Sequence, residues 1–275
     1  MSKSLNIELN EEIEEWEMDY LKYDGVSSKE MPDSLDDLKY MYRALRSCKR
    51  DFIYSVVGGV RMNDYTEKLP YMQLWRTGHD IRDVWDRSML TKDTWAQGLV
   101  NIWESHPKWH VATGPGAWAD PDMLVVGWVG WGPALHYTRL TPNEQYTHIT
   151  LWCLLASPLL IGCDLNQMDP FTMNLLTNDE VLAVNQDPLG KQAVQVYSSK
   201  EYEVWVRDLA DGSKAVGLFN KTGKPLYVPV EMKDLQLDGK WNMRDVWTQS
   251  DLGKVRVHFE MKTRPHGARM VVLSK

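Results

Sequence analysis

The feature that most constrains the fold of this chain is a change in the period of its hydrophobic residues near residue 190. Before that point, short apolar runs alternate with stretches of helical period, which predicts β/α units built around a parallel sheet. After it, apolar and polar residues alternate singly between turn signals such as Asp211-Gly212, which predicts an antiparallel β-sandwich. We therefore expect a β/α domain over residues 1–190 and a β-sandwich domain over residues 191–275.

Individual elements follow from the same periods. Apolar residues recur at helical spacing from Leu35 to Leu45, and Thr141, Pro142 and Glu144 form a capping box that predicts the start of a later helix. Further helices are expected over Ile81–Met89, after Asp169-Pro170 and after Asn178. The strand candidates are Tyr20–Asp24, Phe52–Val56, Gln73–Arg76, His110–Thr113, Met123–Val126, Leu159–Gly162, Glu203–Arg207, Lys214–Asn220, Leu226–Glu231, Lys254–Glu260 and Arg269–Leu273.

Composition argues against several classes of function. The net charge is -7 and no basic stripe is present, so we do not expect a nucleic-acid partner. The sequence contains no stretch of about 18 apolar residues, so no membrane span is predicted. The first residues lack the apolar core of a signal peptide, so a cytoplasmic location is expected. The histidines do not recur at metal-ligand spacing, so no metal site is predicted.

A lysine and an aspartate lie near the end of the first strand candidate, where a plain core would be apolar. Lys22 and Asp24 are two residues apart, so they point to the same side of a strand. In parallel β/α sheets, functional groups lie at the C-terminal ends of strands. A cation on the same face keeps a carboxylate ionised, as a nucleophile requires. A satisfied buried ion pair fits the spacing equally well, and both interpretations stay open.

Two further segments carry charge after strand candidates. Asp80 is either a catalytic carboxyl or the N-cap of the helix predicted after it. Arg76 either holds a carboxylate or sugar hydroxyls through its planar fork, or forms a structural salt bridge. Trp75 is a candidate sugar platform, because sugar sites often use flat tryptophan faces. The carboxylates of Asp120 and Asp122 are either site residues or acceptors for loop amides.

Five ordered segments resemble glycoside hydrolase family 27, the α-galactosidase and α-N-acetylgalactosaminidase family. They are YLKYDG, RTGHDIRDVWDRS, GPGAWADPDMLVVG, LWCLLASPLLIGCDL and VLAVNQDPLGKQ. The resemblance extends from about Glu14 to Gln192 and continues loosely through the predicted sandwich.

The resemblance implies a (β/α)8 TIM-type barrel followed by a small antiparallel β-sandwich, and a retaining double displacement on terminal α-galactosides. By motif, the nucleophile is Asp24 and the acid/base is Asp80. No metal or organic cofactor is implied. The sugar-binding residues implied by the same motifs are Lys22, Arg76, Asp122 and Met123.

The sequence departs from the family at its front. Only about 20 residues precede Asp24, whereas the matching family strand is the fourth of the barrel, so we expect about five of the eight β/α units. We expect such a chain to associate with a second copy or with a complementing N-terminal chain. The alternative is an impaired or inactive fragment that only associates or binds sugar weakly. If the N-terminus is truncated, a secreted or periplasmic location replaces the cytoplasmic one.

Smaller departures concern the sugar 2-position. Val57 and Gly58 stand where many family members carry a Glu-Trp pair. Val26 replaces a frequent cysteine, and Ala119 replaces a frequent asparagine. The preference among galactose, N-acetylgalactosamine and arabinopyranose therefore stays open.

Overall fold

The computed structural model describes residues 15–24, 34–58, 60–130 and 134–275, so Val26 lies outside the described residues. In these ranges a parallel sheet has the strand order β1-β2-β3-β4. Along the chain, one α-helix lies between each of these strands and the next. The elements are β1 (Tyr20–Tyr23), α1 (Ser34–Ser47), β2 (Ile53–Val56), α2 (Tyr65–Lys68), β3 (Leu74–Arg76), α3 (Leu99–Ser105) and β4 (Trp118–Asp120).

The register of this sheet gives each face its own set of side chains. Tyr23, Val56, Trp75 and Ala119 form one cross-strand row. All four pack in a hydrophobic cluster that includes residues of α1. We call this side the helix face. Because side chains alternate along a strand, the residues immediately before and after this row point to the opposite side, which we call the inner face.

The helix starts that were predicted from capping residues are confirmed. Glu144 N–H donates to Thr141 Oγ1 at 3.3 Å, and Thr141 N–H donates to the Glu144 carboxylate at 2.7 Å. The side chains of Asp169 and Asn178 cap the next two helices. The elements are the hairpin β5 (Trp128–Val129) and β6 (His136–Tyr137), followed by α4 (Pro142–Leu154), α5 (Pro170–Thr177) and α6 (Asp179–Asn185).

The last part of the chain is an antiparallel sandwich. Its larger sheet has the order β12-β11-β14-β9-β8-β7, and β10 pairs with β13 in the second sheet. A hydrophobic cluster that includes Val228, Leu218 and Phe259 draws on both sheets. The strands are β7 (Val194–Ser198), β8 (Tyr202–Asp208), β9 (Lys214–Asn220), β10 (Leu226–Glu231), β11 (Trp241–Asp245), β12 (Ser250–Val255), β13 (His258–Thr263) and β14 (Ala268–Ser274).

A buried arginine ties the sandwich to the β/α part. Arg207 on β8 is 0% exposed, and its guanidinium donates to the carbonyls of Cys153 and Asn185 at the ends of α4 and α6. Burial lowers the pKa of Arg207 to about 10, which leaves the side chain charged at neutral pH. The arginine thus donates to carbonyls at the ends of two helices and joins both helices to the sandwich.

Several predicted elements are wrong. His110–Thr113 is not a strand, because Pro107 opens a 3₁₀ turn and the Ala112 and Thr113 amides donate back to the Trp109 carbonyl. The fourth strand is β4 instead. Met123–Val126 and Leu159–Gly162 meet only at a single parallel bridge, between Leu124 and Ile161.

Ile81–Met89 is also wrong as a helix, since only Arg87–Met89 forms a 3₁₀ turn. Tertiary partners take the amides that a helix would have used: Ile81 N–H donates to Asp122, and Arg82 N–H donates to the Gln97 carbonyl. Lys254–Glu260 is split between β12 and β13, and the strands β7 and β11 were not predicted. No helix in the described part of the chain is long and apolar enough to cross a membrane.

Candidate active site

The candidate site begins with one cross-strand row on the inner face. The register pairs Tyr23 with Val56 and Arg76 with Asp120, so one residue further along it aligns Asp24 with Val57, Arg76 and Asp120. The Val57 amide donates to the Tyr23 carbonyl at 2.9 Å, which continues the β1–β2 ladder to this level. Charged side chains from three strands therefore meet at the C-terminal edge of the sheet.

Arg76 lies at the centre of this group. It is 6% exposed, and its Nη2 lies 2.9 Å from Asp122 Oδ2 and 3.2 Å from Asp80 Oδ1. Asp80 follows β3 through a short turn, and its side chain is 45% exposed. The arginine thus anchors Asp80 above the row that contains Asp24 while leaving the Asp80 carboxyl accessible. Asp80 caps no α-helix, so that interpretation is wrong.

Asp122 has a positive φ, and its carboxylate is bonded to several partners. Its φ is 103°, a conformation that costs energy in a residue with a side chain. Besides Arg76, its carboxylate accepts the amides of Ile81 and Met123 at 2.9 and 2.8 Å. These bonds hold the loop after β3 against the loop after β4, so Asp122 organises the site from beneath.

Asp120 is the site residue that sequence reasoning left undecided. It is 0% exposed, its Oδ1 accepts the Asp122 amide at 2.8 Å, and its Oδ2 lies 3.5 Å from Lys22 Nζ. Burial raises the pKa of the Asp120 carboxyl, and the charge of Lys22 partly opposes that rise. The Asp120 carboxylate does accept a loop amide, as one interpretation expected, and the register of the sheet additionally brings it to Lys22.

The contact between Lys22 and Asp120 reports the curvature of the sheet. β1 and β4 are three strand spacings apart, about 14 Å in a flat sheet, which is beyond the combined reach of these two side chains. The inner face is therefore concave, as in an arc of a barrel. A concave face brings Asp24 and Asp80 towards each other above Arg76.

Two of the predicted sugar-binding residues, Trp75 and Met123, lie in different environments. Trp75 is wrong as a sugar-binding residue: it is 0% exposed on the helix face, with its ring 5.6 Å from that of Trp109. It is adjacent to Arg76 in the strand, and adjacent strand residues point to opposite faces. Met123 follows Asp122 and is partly exposed, and its role in sugar binding stays a prediction. Ala119 faces the helix side, away from the candidate site.

The surroundings of Asp80 include residues that sequence analysis did not single out. Arg82 Nη1 lies 3.9 Å from Asp80 Oδ2, and the Arg82 guanidinium lies 5.5 Å from the centre of the Trp95 ring. Asp83 is 0% exposed, and it accepts hydrogen bonds from Arg139 and His136. The hydrogen bonds from Arg139 outweigh burial and lower the pKa of Asp83.

The fold is an arc of β/α units followed by a C-terminal sandwich, and the polar row lies at the C-terminal edge of the parallel sheet. Comparison with known families agrees. Residues 4–187 match the family model described as alpha galactosidase A, and residues 199–273 match the model of the alpha galactosidase C-terminal beta sandwich domain. The chain belongs to this family. The expected fold class, an incomplete (β/α)8-type barrel followed by an antiparallel sandwich, is confirmed.

Individual relatives are similar over nearly the whole chain. Alpha-galactosidase 2 of Arabidopsis thaliana is 32% identical over 94% of this chain and 61% of its own length. Alpha-galactosidase A of Homo sapiens is 34% identical over 75% of this chain and 46% of its own. A GH27 β-L-arabinopyranosidase from Geobacillus stearothermophilus superposes with a TM-score of 0.88 at 32% identity, covering 98% of this chain and 61% of that one. The chain thus spans about three fifths of the length of the Arabidopsis and Geobacillus proteins and less than half of the human one.

Proposed function

We propose that this protein is a retaining glycoside hydrolase that releases a terminal galactose-type sugar from α-galactosides. Asp24 is the nucleophile and Asp80 is the acid/base. The observation that carries the proposal is that two accessible carboxyls, Asp24 and Asp80, lie at the C-terminal edge of one concave sheet, with Asp80 paired to the buried Arg76. The other two carboxyls of the cluster, Asp120 and Asp122, are buried and occupied by structural bonds.

The arrangement suits a double displacement. Retaining enzymes place their two carboxyls about 5–5.5 Å apart, with one ionised and one protonated. Asp24 attacks the anomeric carbon and forms a glycosyl-enzyme while Asp80 gives its proton to the leaving oxygen. Asp80 then takes a proton from water, and the resulting hydroxide displaces Asp24 from the sugar. Both acids return to their starting states, so the two steps balance.

The buried charges beneath the two acids have supporting roles. Arg76 holds Asp80 through one nitrogen, which fixes the direction from which the proton is delivered. Lys22 is 31% exposed beside Asp120, and its ammonium is available to the hydroxyls of a sugar on the inner face. Asp122 keeps the two loops together and adds no chemistry of its own. Met123 would supply an apolar contact.

The nature of the sugar follows from what flanks the acids. Val57 and Gly58 stand next to Asp24 and offer no hydrogen-bonding side chain to a 2-substituent. The similar proteins include enzymes named as α-galactosidase, α-N-acetylgalactosaminidase and β-L-arabinopyranosidase. Because Val57 and Gly58 present no polar side chain here, we propose that these two described residues accept the 2-hydroxyl of galactose or arabinopyranose without specific recognition.

A second candidate is an impaired fragment that associates with another chain. The inner face carries an open cavity of about 420 Å³, with Tyr20, Ile53, Leu74 and Trp118 among its lining residues. Exposed apolar surface of this kind is typical of contact sites between chains. A second copy or a complementing chain seated on this cavity would cover the inner face near the starts of β1 and β2, where Tyr20 and Ile53 lie.

Release of nitrophenol from 4-nitrophenyl α-galactoside tests the proposal. Asp24→Ala should abolish release, and azide should restore it by forming a galactosyl azide of inverted configuration. Asp80→Ala should slow hydrolysis most for substrates with poor leaving groups, because those depend on protonation. Asp234→Asn, which changes an exposed aspartate on the sandwich, is the matched control. Activity that survives Asp24→Ala would overturn the assignment.

The mass of the active species separates the two candidates. Light scattering during chromatography, with activity measured across the peak, should place turnover either in the monomer or in an assembly. Turnover confined to an assembly supports completion by a second copy. A purified chain with no turnover in any fraction supports the impaired fragment and contradicts the first proposal for the isolated chain.

A further inference from the structure

An open cleft lies near Asp80, next to Arg82. Its volume is about 450 Å³, and its lining includes Arg82, Lys92, Asp93, His136 and Arg139. Arg82 joins the cleft to the candidate site, because its Nη1 lies 3.9 Å from Asp80 Oδ2. The mechanism proposed above uses none of these side chains.

We propose that this cleft binds the leaving group of the substrate, and that the preferred leaving group carries an anionic substituent, a carboxylate or a phosphate. The assignment as a leaving-group site rests on the proposed function, since the oxygen that Asp80 protonates must lie next to Asp80. The preference for an anion rests on the charges of the cleft itself.

The carboxylates of the cleft are already neutralised. Asp83, beneath its floor, is 0% exposed and accepts three hydrogen bonds from Arg139 and one from His136. Asp93 lies 3.3 Å from Arg82 Nη2. Neither acid is therefore left to balance a further cation.

Two cationic groups of the cleft have donors to spare. Within the described ranges, no carboxylate lies within ion-pair distance of Lys92, which is exposed. Arg139 uses Nε and Nη2 on Asp83, its side chain is 55% exposed, and no bond is assigned to its Nη1 among the described residues. Arg82, Lys92 and Arg139 stand against Asp93 and the buried Asp83, and this excess of one positive charge on a chain of net charge -7 favours an anionic ligand.

An aromatic surface lies at the junction between this cleft and Asp80. Trp95 is 51% exposed, and its ring contacts the Arg82 guanidinium at 5.5 Å and the His79 ring at 6.3 Å. Asp93 and Trp95 together fix Arg82, so little side-chain freedom remains to be lost on binding. A ring in the leaving group can stack on Trp95 while its anionic substituent reaches Lys92.

The test compares 4-carboxyphenyl α-galactoside with phenyl α-galactoside. The wild-type chain should prefer the carboxylated substrate in kcat/KM, mainly through KM. Lys92→Glu should reduce that preference about threefold to tenfold. The free-energy change is about twice that of one exposed charge contact, because the substitution replaces an attraction by a repulsion. Lys240→Glu, a reversal at an exposed lysine of the sandwich, should leave the preference unchanged. A preference that is absent, or unaffected by Lys92→Glu, overturns the proposal.

A binding measurement keeps this inference separate from the proposed activity. The indole N–H signal of Trp95, assigned with Trp95→Phe, should shift on titration with benzoate or phenyl phosphate and should shift much less with benzyl alcohol. Lys92→Glu should weaken the anion titrations. If no glycoside is turned over but these shifts occur, the proposed function fails and the anion site stands. Equal shifts with benzoate and benzyl alcohol, or none, overturn the anion site.

Discussion

Arg76 and Asp122 form a buried ion pair in which Nη2 lies 2.9 Å from Oδ2. The same nitrogen lies 3.2 Å from Asp80 Oδ1, so one guanidinium serves a structural carboxylate and the proposed acid/base together. Asp122 in turn accepts the Ile81 amide one residue beyond Asp80. The position of the Asp80 carboxyl is therefore coupled to the folding of the loop beneath it, and a substitution of Arg76 should affect both.

Arg76→Gln should lower both stability and activity. Removing the cation leaves the buried carboxylate of Asp122 without its charge partner, and breaking a buried pair in this way costs about 3–5 kcal/mol. Urea unfolding followed by tryptophan fluorescence measures the change. Arg264→Gln, at an exposed arginine near the sandwich surface, should change the free energy of unfolding by less than about 0.5 kcal/mol. Equal effects of the two substitutions would contradict the central role of Arg76.

Asp120→Asn should change the pH dependence of stability. Burial raises the pKa of Asp120 above its unfolded value, so the folded state binds a proton more tightly than the unfolded state does. This carboxyl therefore stabilises the fold below its unfolded pKa, and the contribution is lost as pH rises through the folded pKa. The free energy of unfolding of Asp120→Asn relative to wild type should accordingly improve from pH 4 to pH 7. Urea titrations at several pH values test this, and a difference that is constant with pH would refute it.

The fold could be predicted where a local pattern coincides with the tertiary environment. The strand β3 and the caps of α4 and α5 were predicted because period and capping residues act within a few residues. The helix predicted over Ile81–Met89 failed because its amides donate to Asp122 and to the Gln97 carbonyl, partners that are distant in sequence. Local propensity cannot anticipate such bonds.

The candidate site shows the same division. Asp24 and Arg76 stood out as charges at the ends of apolar strands. Trp75 was predicted to bind sugar because sugar sites often use flat tryptophan faces. Side chains alternate along a strand, so Trp75 points away from the face of its neighbour Arg76 and lies in the core. Asp120 was left undecided because only the cross-strand register brings it to Lys22 and Arg76. Register between strands is a property of the folded sheet and is not visible in the order of residues.

His148→Gln should reduce acid sensitivity. His148 is 0% exposed, its Nε2 accepts the Val125 amide at 3.0 Å, and burial lowers its pKa to about 3. The neutral ring therefore stabilises the fold above its unfolded pKa near 6.5, and this contribution is lost as pH falls towards 3. One such histidine contributes up to about 1.4 kcal/mol per pH unit in this window.

Unfolding free energies measured between pH 7 and pH 4 provide the check. The decline of His148→Gln should be shallower than that of wild type, because glutamine keeps an acceptor for the Val125 amide and takes up no proton. His258→Gln, which changes an exposed histidine on β13, should follow the wild-type curve. Parallel slopes for all three chains would mean that His148 is not the group that takes up the proton.

Gly217→Ala should loosen the junction between α4 and the sandwich. Gly217 lies on β9, and a Cβ added there would overlap the Leu154 side chain and approach the Phe219 ring to 2.9 Å. Overpacking of this kind costs about 1–3 kcal/mol. Gly223→Ala, where an added Cβ meets no atom within 4 Å, is the matched control and should be nearly neutral. Because Arg207 donates to Cys153 next to Leu154, the same substitution should accelerate exchange of the amides at the end of α4. Unchanged exchange there, together with a wild-type melting temperature, would show that the glycine is not needed for close packing.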